Sequence, residues 1–228
     1  MEDALRNLWS VANDLSRIKP TRPSAYRVSI FGSARIEPGE PLYQEVKELA
    51  RRLAELGCDI VTGGGPGLMQ AANEGAQLGD PGDRVRSIGV RIALPFEQGA
   101  NPFVEKLYSH RTFFTRLHQF MRLSSAFVVV GGGIGTLLET TMVWQLLQVG
   151  HLRDVPLVFV GTMWKELVAW GRAHMAEREP QPFASAEDFD IPVCVDTVDE
   201  AVAALRPAVE RFQRAAERGV GVSRRGGP

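Results

Sequence analysis

The sequence predicts an α/β protein built on a doubly wound parallel sheet flanked by helices, with an extra helix on its N-terminal side. Three observations carry this. From Arg27 onward, short apolar runs alternate with longer stretches of helical period. The short runs are nearly all apolar without alternation, as strands are when helices cover both faces of their sheet. Several runs also end in glycine-rich turns that lead into a helix.

Taken in order, residues 3–18 place Leu5, Leu8, Val11, Ala12 and Leu15 on one helical face, and Lys19-Pro20-Thr21-Arg22-Pro23-Ser24 breaks that helix. Residues 1–24 therefore read as a helical arm and linker, with an apolar stripe suited to docking on the domain or on a second subunit. Strands are expected at residues 28–31, 59–62, 87–92, 126–130, 155–160 and 191–195. Helices are expected at 41–56, 67–78, 112–123, 135–149, 163–176 and 198–217, so that residues 25–217 make one α/β domain. Residues 218–228, rich in Gly and Arg, read as a disordered tail.

Composition narrows the function. The chain has 228 residues, 44% of them hydrophobic, and 26 Lys+Arg against 27 Asp+Glu give a formal net charge of -1. That balance does not suit a surface built to neutralise a nucleic-acid backbone, so the expected ligand is a small, local anion. Cys58 and Cys194 stand far apart with no C-x-x-C spacing, which leaves metal and redox motifs without support. No stretch approaches the length of a membrane span, and the protein is expected in the cytoplasm.

In an open parallel sheet, ligands sit beyond the carboxyl ends of the strands. The first strand ends in Phe31-Gly32-Ser33-Ala34-Arg35, the second in Thr62-Gly63-Gly64-Gly65-Pro66-Gly67, and the one at 126–130 in Gly131-Gly132-Gly133-Ile134-Gly135-Thr136. Glycine lets a ligand approach the backbone, and a helix start adds unpaired N–H donors and a partial positive charge. Phosphate fits such turns, although any one of them alone could serve only to let a strand enter a helix tightly. Two common motifs are absent: no lysine follows these glycines as a P-loop requires, and neither Gly65-Pro66-Gly67 nor Gly133-Ile134-Gly135 continues as the dinucleotide fingerprint G-x-G-x-x-G.

Glu139 follows the third turn by about one helical turn. It either complements the helix dipole or faces a sugar, where a carboxylate stabilises developing positive charge. The helix before it carries Arg111, Arg116 and Arg122 among Phe113, Phe114, Leu117 and Phe120. These arginines are surface cations or phosphate clamps, while His110 and His118, with no nucleophile elbow to serve, read as structural.

With these residues in view, Gly132-Gly133-Ile134-Gly135-Thr136-Leu137-Leu138-Glu139 resembles the P-G-G-x-G-T-x-x-E signature of the LOG (Lonely Guy) family. Gly64-Gly65-Pro66-Gly67-Leu68-Met69-Gln70-Ala71-Ala72-Asn73 is similar to its second glycine motif, and Phe31-Gly32-Ser33-Ala34-Arg35 to its first loop. The resemblance implies a Rossmann-like fold and a phosphoribohydrolase acting on nucleoside 5′-monophosphates such as AMP, in a family many of whose members were once labelled lysine decarboxylases. It implies Arg116 and Glu139 as the catalytic residues and a homodimer or larger homo-oligomer. The decarboxylase label finds little support, since none of the four lysines, Lys19, Lys47, Lys106 and Lys165, sits at a glycine turn. Gly131 stands where the family has proline, and Leu117 where it usually has lysine. The arm and the loop at residues 94–103 resemble the family's longer bacterial members.

The expected site therefore comprises Arg116 and Glu139 for catalysis, Gly132, Gly133, Gly135 and Thr136 for the 5′-phosphate, and Gly32, Ser33, Gly64, Gly65 and Asn73 for the rest of the substrate. No cofactor or metal is expected, and the partners are a small AMP-like nucleotide and further copies of the chain rather than nucleic acid or membrane. The alternative is a non-catalytic nucleotide- or cofactor-binding protein on the same fold.

Overall fold

The computed structural model describes residues 25–92 and 99–217. The helix expected over residues 3–18, the segment 93–98 and the tail 218–228 lie outside the described residues. In chain order the elements are β1 (Tyr26–Phe31), α1 (Pro41–Glu55), β2 (Cys58–Thr62), α2 (Leu68–Leu78), β3 (Ser87–Ile92), β4 (Lys106–His110), α3 (Phe113–Leu123), β5 (Ala126–Val129), α4 (Ile134–Gln148), β6 (Leu157–Val160), α5 (Thr162–Gly171), β7 (Val193–Val195) and α6 (Val198–Glu217). A π-helical turn at Arg172–Ala176 extends α5, and a 3-10 turn at Ala186–Asp190 precedes β7.

The strands form one sheet in the order β4-β3-β2-β1-β5-β6-β7, every neighbouring pair parallel. Successive side chains on a strand face opposite sides. Val28, Ile30, Ile60 and Val128 accordingly pack with Tyr43, Leu49, Leu53, Leu68, Val202 and Leu205 of α1, α2 and α6. Phe31, Val61, Val90, Phe127, Val129 and Phe159 pack with Phe120, Met121, Val143 and Trp164 of α3, α4 and α5. Two apolar layers result, one on each face, as the unalternated strand pattern requires.

Local chemistry explains the helix starts. Pro41 opens α1, where its fixed φ suits the first turn and its missing N–H is no loss. Thr112 caps α3 by accepting from Thr115 N at 3.2 Å. Before α6, Thr197 accepts from Glu200 N while Glu200 accepts from Thr197 N, each at 3.2 Å, a reciprocal capping box. By contrast, α2 and α4 begin at Gly67 and Gly133 with no side-chain cap.

The structure departs from the sequence reading at four places, one being β6, which starts at Leu157 where the strand was expected from residue 155. β4 was not anticipated, because Lys106-Leu107-Tyr108-Ser109-His110 is a largely exposed edge strand with no apolar run. The helix expected over 163–176 is α-helical only to Gly171 before widening into the π turn. The strand expected at 191–195 starts at Val193, since Ile191 and Pro192 follow the 3-10 turn.

β1 pairs with β2 on one side and β5 on the other, so the winding direction reverses between β1 and β5. A crevice opens beyond the carboxyl ends of the strands at such a switch point. The three glycine turns end β1, β2 and β5 and so gather at that place.

Candidate active site

Ser33 joins the three turns through its backbone. Its N–H donates to Gly131 O at 3.0 Å, and its carbonyl accepts from Leu68 N at 2.8 Å. Gly32 is required by this convergence, because a Cβ there would lie 2.7 Å from Val130 Cγ2 and 3.0 Å from Leu68 Cβ. Trp164, fully buried, donates from Nε1 to Val130 O at 3.1 Å and fixes the chain just before the third turn.

The second turn is held from behind by a polar network. Gly64 N donates to Thr62 Oγ1 at 2.9 Å, and Thr62 Oγ1 donates to Asn73 Oδ1 at 2.7 Å. Asn73 Nδ2 donates to Ser87 Oγ at 2.9 Å, and Asn101 Nδ2 donates to both Asn73 Oδ1 and Gly65 O. Asn73, expected among the substrate contacts, is completely buried, with its amide bonded to these partners behind the turn. Asn101 was not singled out in the sequence, where it is one polar residue in a loop without periodicity.

The third turn is open. A Cβ at Gly132 would collide with the Thr136 side chain, but none of the described residues lies within 4 Å of a Cβ placed at Gly133 or Gly135. The N–H groups from Gly132 to Thr136 have no acceptor among the described residues, and the first helix-type bond of α4 runs from Leu137 N to Gly133 O at 2.9 Å. Unpaired donors at the N-terminal end of a helix are of the kind that can seat an anion. Buried Thr136 sits at the inner side of the turn, its carbonyl accepting from Thr140 Oγ1 at 2.7 Å.

Arg116 and Glu139 meet beside this seat, Nη1 to Oε1 at 2.8 Å. Glu139 is only 8% exposed, and Arg116 is half-buried. Arg116 is oriented on every side: Nε donates to Val90 O at 2.9 Å, the guanidinium lies 5.4 Å from the Phe120 ring, and Nη2 occupies the space left by the missing side chain of Gly63. Burial pushes the Glu139 carboxyl above the ordinary glutamate range, and the charge and hydrogen bond of Arg116 draw it part of the way back. Burial, then the charges of Arg116 and His118, hold His110 below the usual histidine value, and its buried Nε2 has no hydrogen-bond partner among the described residues.

The structure thus brings Gly32, Ser33, Gly64, Gly65, Gly132, Gly133, Gly135, Thr136, Arg116 and Glu139 to one edge of the sheet. Among the described residues, no helix is long and apolar enough to cross a membrane. Fold and site together define a Rossmann-like α/β protein whose glycine turns surround an arginine–glutamate pair. A family model described as possible lysine decarboxylase matches residues 69–205, and the chain belongs to that LOG-type family.

The pyrimidine/purine nucleotide 5′-monophosphate nucleosidases of Escherichia coli strains K12 and O157:H7 are each 29% identical over 140 residues. The match covers 59% of this chain and 30% of the relative, so it spans less than a third of those proteins. Among solved structures, the molybdenum cofactor carrier protein from Chlamydomonas reinhardtii superposes with a TM-score of 0.58 at 19% identity, covering 82% of this chain and 99% of that one. The molybdenum cofactor binding protein from the phototrophic bacterium Rippkaea orientalis gives 0.59 at 15% identity, covering 81% and 98%. At that identity the two structures show a shared fold.

Proposed function

We propose that the protein hydrolyses the N-glycosidic bond of a nucleoside 5′-monophosphate, releasing the free base and ribose 5-phosphate. The observation that carries this reading is the pairing of buried Glu139 with Arg116 beside an open, uncapped glycine turn. The 5′-phosphate rests on Gly132, Gly133, Gly135 and Thr136, which positions the ribose near Glu139 while Gly32, Ser33, Gly64 and Gly65 line the other side. The C1′–N bond breaks as water supplies oxygen to C1′, and a proton goes to the departing base. The sugar passes through an oxocarbenium-like state, and a carboxylate held in a poorly solvated site stabilises it more than the ground state. Arg116 holds Glu139 and the substrate in register, a role its four surrounding contacts suit. The relatives named as nucleotide 5′-monophosphate nucleosidases support the same chemistry.

In this reading the enzyme works in the cytoplasm as a homodimer or larger homo-oligomer. Ile134 and Leu138 on α4, and Phe113 and Phe114 at the start of α3, are exposed apolar side chains that a second copy would cover. Purified protein incubated with AMP, GMP and CMP should release free base by chromatography, and Glu139→Gln should remove that release. No base from any of the three, or unchanged release in the variant, contradicts the assignment. The second reading is a non-catalytic nucleotide or cofactor binder, favoured by Gly131 and Leu117 at positions where the family carries proline and lysine. Calorimetric binding of AMP without base release would select it.

A further inference from the structure

Asn101 lies in the connection between β3 and β4, outside all three glycine turns, yet it contacts the second turn at two successive carbonyls. Its backbone N–H donates to Gly64 O at 2.9 Å, and its side-chain Nδ2 donates to Gly65 O at 2.9 Å and to Asn73 Oδ1 at 3.0 Å. Its own Oδ1 accepts from Phe103 N at 3.1 Å, so the side-chain amide is used at both ends. Asn101 is 8% exposed, and loss of such bonds cannot be made good by water without opening the loop.

The geometry of the peptide group gives these contacts a consequence. In a trans peptide the carbonyl of one residue and the N–H of the next point in opposite directions. With Gly64 O directed at Asn101, the Gly65 N–H is directed away from it, and it has no acceptor among the described residues. Pro66 has no N–H to offer, so Gly65 supplies the donor of this stretch. Gly64 has φ +72, and its Cβ position lies 3.2 Å from Gly89 Cα. A glycine-rich segment of this kind has many accessible conformations, and external hydrogen bonds must select one. The same turn seats Arg116, whose Nη2 lies where a Gly63 side chain would be.

We propose that Asn101 is a positioning residue: by fixing the carbonyls of Gly64 and Gly65 it aims the Gly65 N–H at a bound nucleoside 5′-monophosphate and keeps the turn seated under Arg116. This rests on the nucleotide-binding part of the reading above. It does not depend on hydrolysis. Asn101→Asp separates the side-chain donor from the rest, because it keeps the shape, the backbone bond to Gly64 and an acceptor for Phe103 N. It places an acceptor against Gly65 O in place of a donor.

The test compares the wild type, Asn101→Asp, Asn101→Ala and Gln77→Ala by AMP calorimetry, with thermal unfolding of each and kcat and KM where base release occurs. Gln77 is the control, since its Nε2 donates to Phe103 O at 3.3 Å and tethers the same connection without touching the turn. Both Asn101 variants should stay folded and bind AMP at least tenfold more weakly. Their KM should rise by a similar factor while kcat changes less than threefold, and Gln77→Ala should match the wild type. Wild-type AMP binding without base release, weakened in the Asn101 variants, supports the proposal while the hydrolase reading fails. Equal AMP affinity in folded Asn101→Asp and wild type overturns the proposal, as does an equal loss in Gln77→Ala. Absence of AMP binding to the wild type overturns it together with the reading on which it rests. Should Asn101→Ala fail to fold, Asn101→Asp carries the test.

Discussion

The second and third glycine turns are alike in composition and opposite in circumstance. In the second turn the glycines are accounted for by the protein itself. Gly67 has φ +68 and a Cβ there would lie 2.5 Å from Ser33 O, Gly64 has φ +72, and Gly63 yields its space to Arg116. In the third turn, Gly133 and Gly135 have no positive φ and, among the described residues, no neighbour within 4 Å of a Cβ. Neither sterics nor backbone strain asks for glycine at those two positions, and Gly135 lies inside α4, where alanine would favour the helix. The difference teaches how to separate glycines that a fold needs from glycines that leave room for something else. The empty space over uncapped N–H donors is what a phosphate would fill.

The comparison yields predictions of graded size. The largest concerns the residue that the open turn serves: Glu139→Gln should lower kcat by about 10²–10³-fold, the usual loss when a main electrostatic stabiliser is removed. Steady-state base release from the most active nucleotide checks it. Because burial raises the Glu139 pKa, the active carboxylate form should be lost on acidification at a pH above the ordinary glutamate value. Arg116 opposes that rise, so Arg116→Gln should move the acid limb of kcat/KM to still higher pH. The stability sign is the reverse of the activity sign. A raised folded-state pKa stabilises the fold fully below the unfolded value, and that contribution fades as pH rises through the folded one. The ionised Glu139 is thus carried at neutral pH at some cost to stability.

Next in size is the packed turn. Gly67→Ala should destabilise the fold by about 2 kcal/mol or more, from left-handed backbone strain together with the contact on Ser33 O. A denaturation midpoint equal to that of the wild type would show that the turn is looser than its geometry implies. The smallest stability effect, and the sharpest contrast, belongs to Gly135→Ala. It should leave stability unchanged or raise it by about 0.5 kcal/mol, since alanine is the better helix former. It should also raise KM for nucleoside monophosphates about tenfold by filling the anion seat, which kinetics and thermal unfolding on one preparation can decide.

Much of the fold was legible because burial on two faces leaves an apolar signature, uninterrupted at Ala126–Val129 and broken only by Ser29 at Val28–Phe31. β4 was not, because an edge strand is specified by its neighbour: Tyr108 pairs with Val90 and Ser109 with Arg91, while its own side chains stay largely exposed. The π turn after Gly171 leaves the helical spacing of apolar residues too little changed to be read. In the site, glycine and helix starts mark the turns locally, whereas the 2.8 Å approach of Arg116 to Glu139 joins residues on two helices and came into view only through a family resemblance. Asn73 was visible as a polar residue after the second turn, yet its inward direction depends on Thr62, Ser87 and Asn101, which the sheet brings together. Asn101 had no local mark at all.

The most direct measurement is a titration of isotopically labelled protein with ribose 5-phosphate, following the backbone amides by NMR. Saturable shifts concentrated at Gly133, Gly135 and Thr136, with Gly67 little moved, are the predicted result. Shifts confined to other parts of the molecule, or no shift at millimolar ligand, would contradict the claim that the open turn is kept vacant for a phosphate.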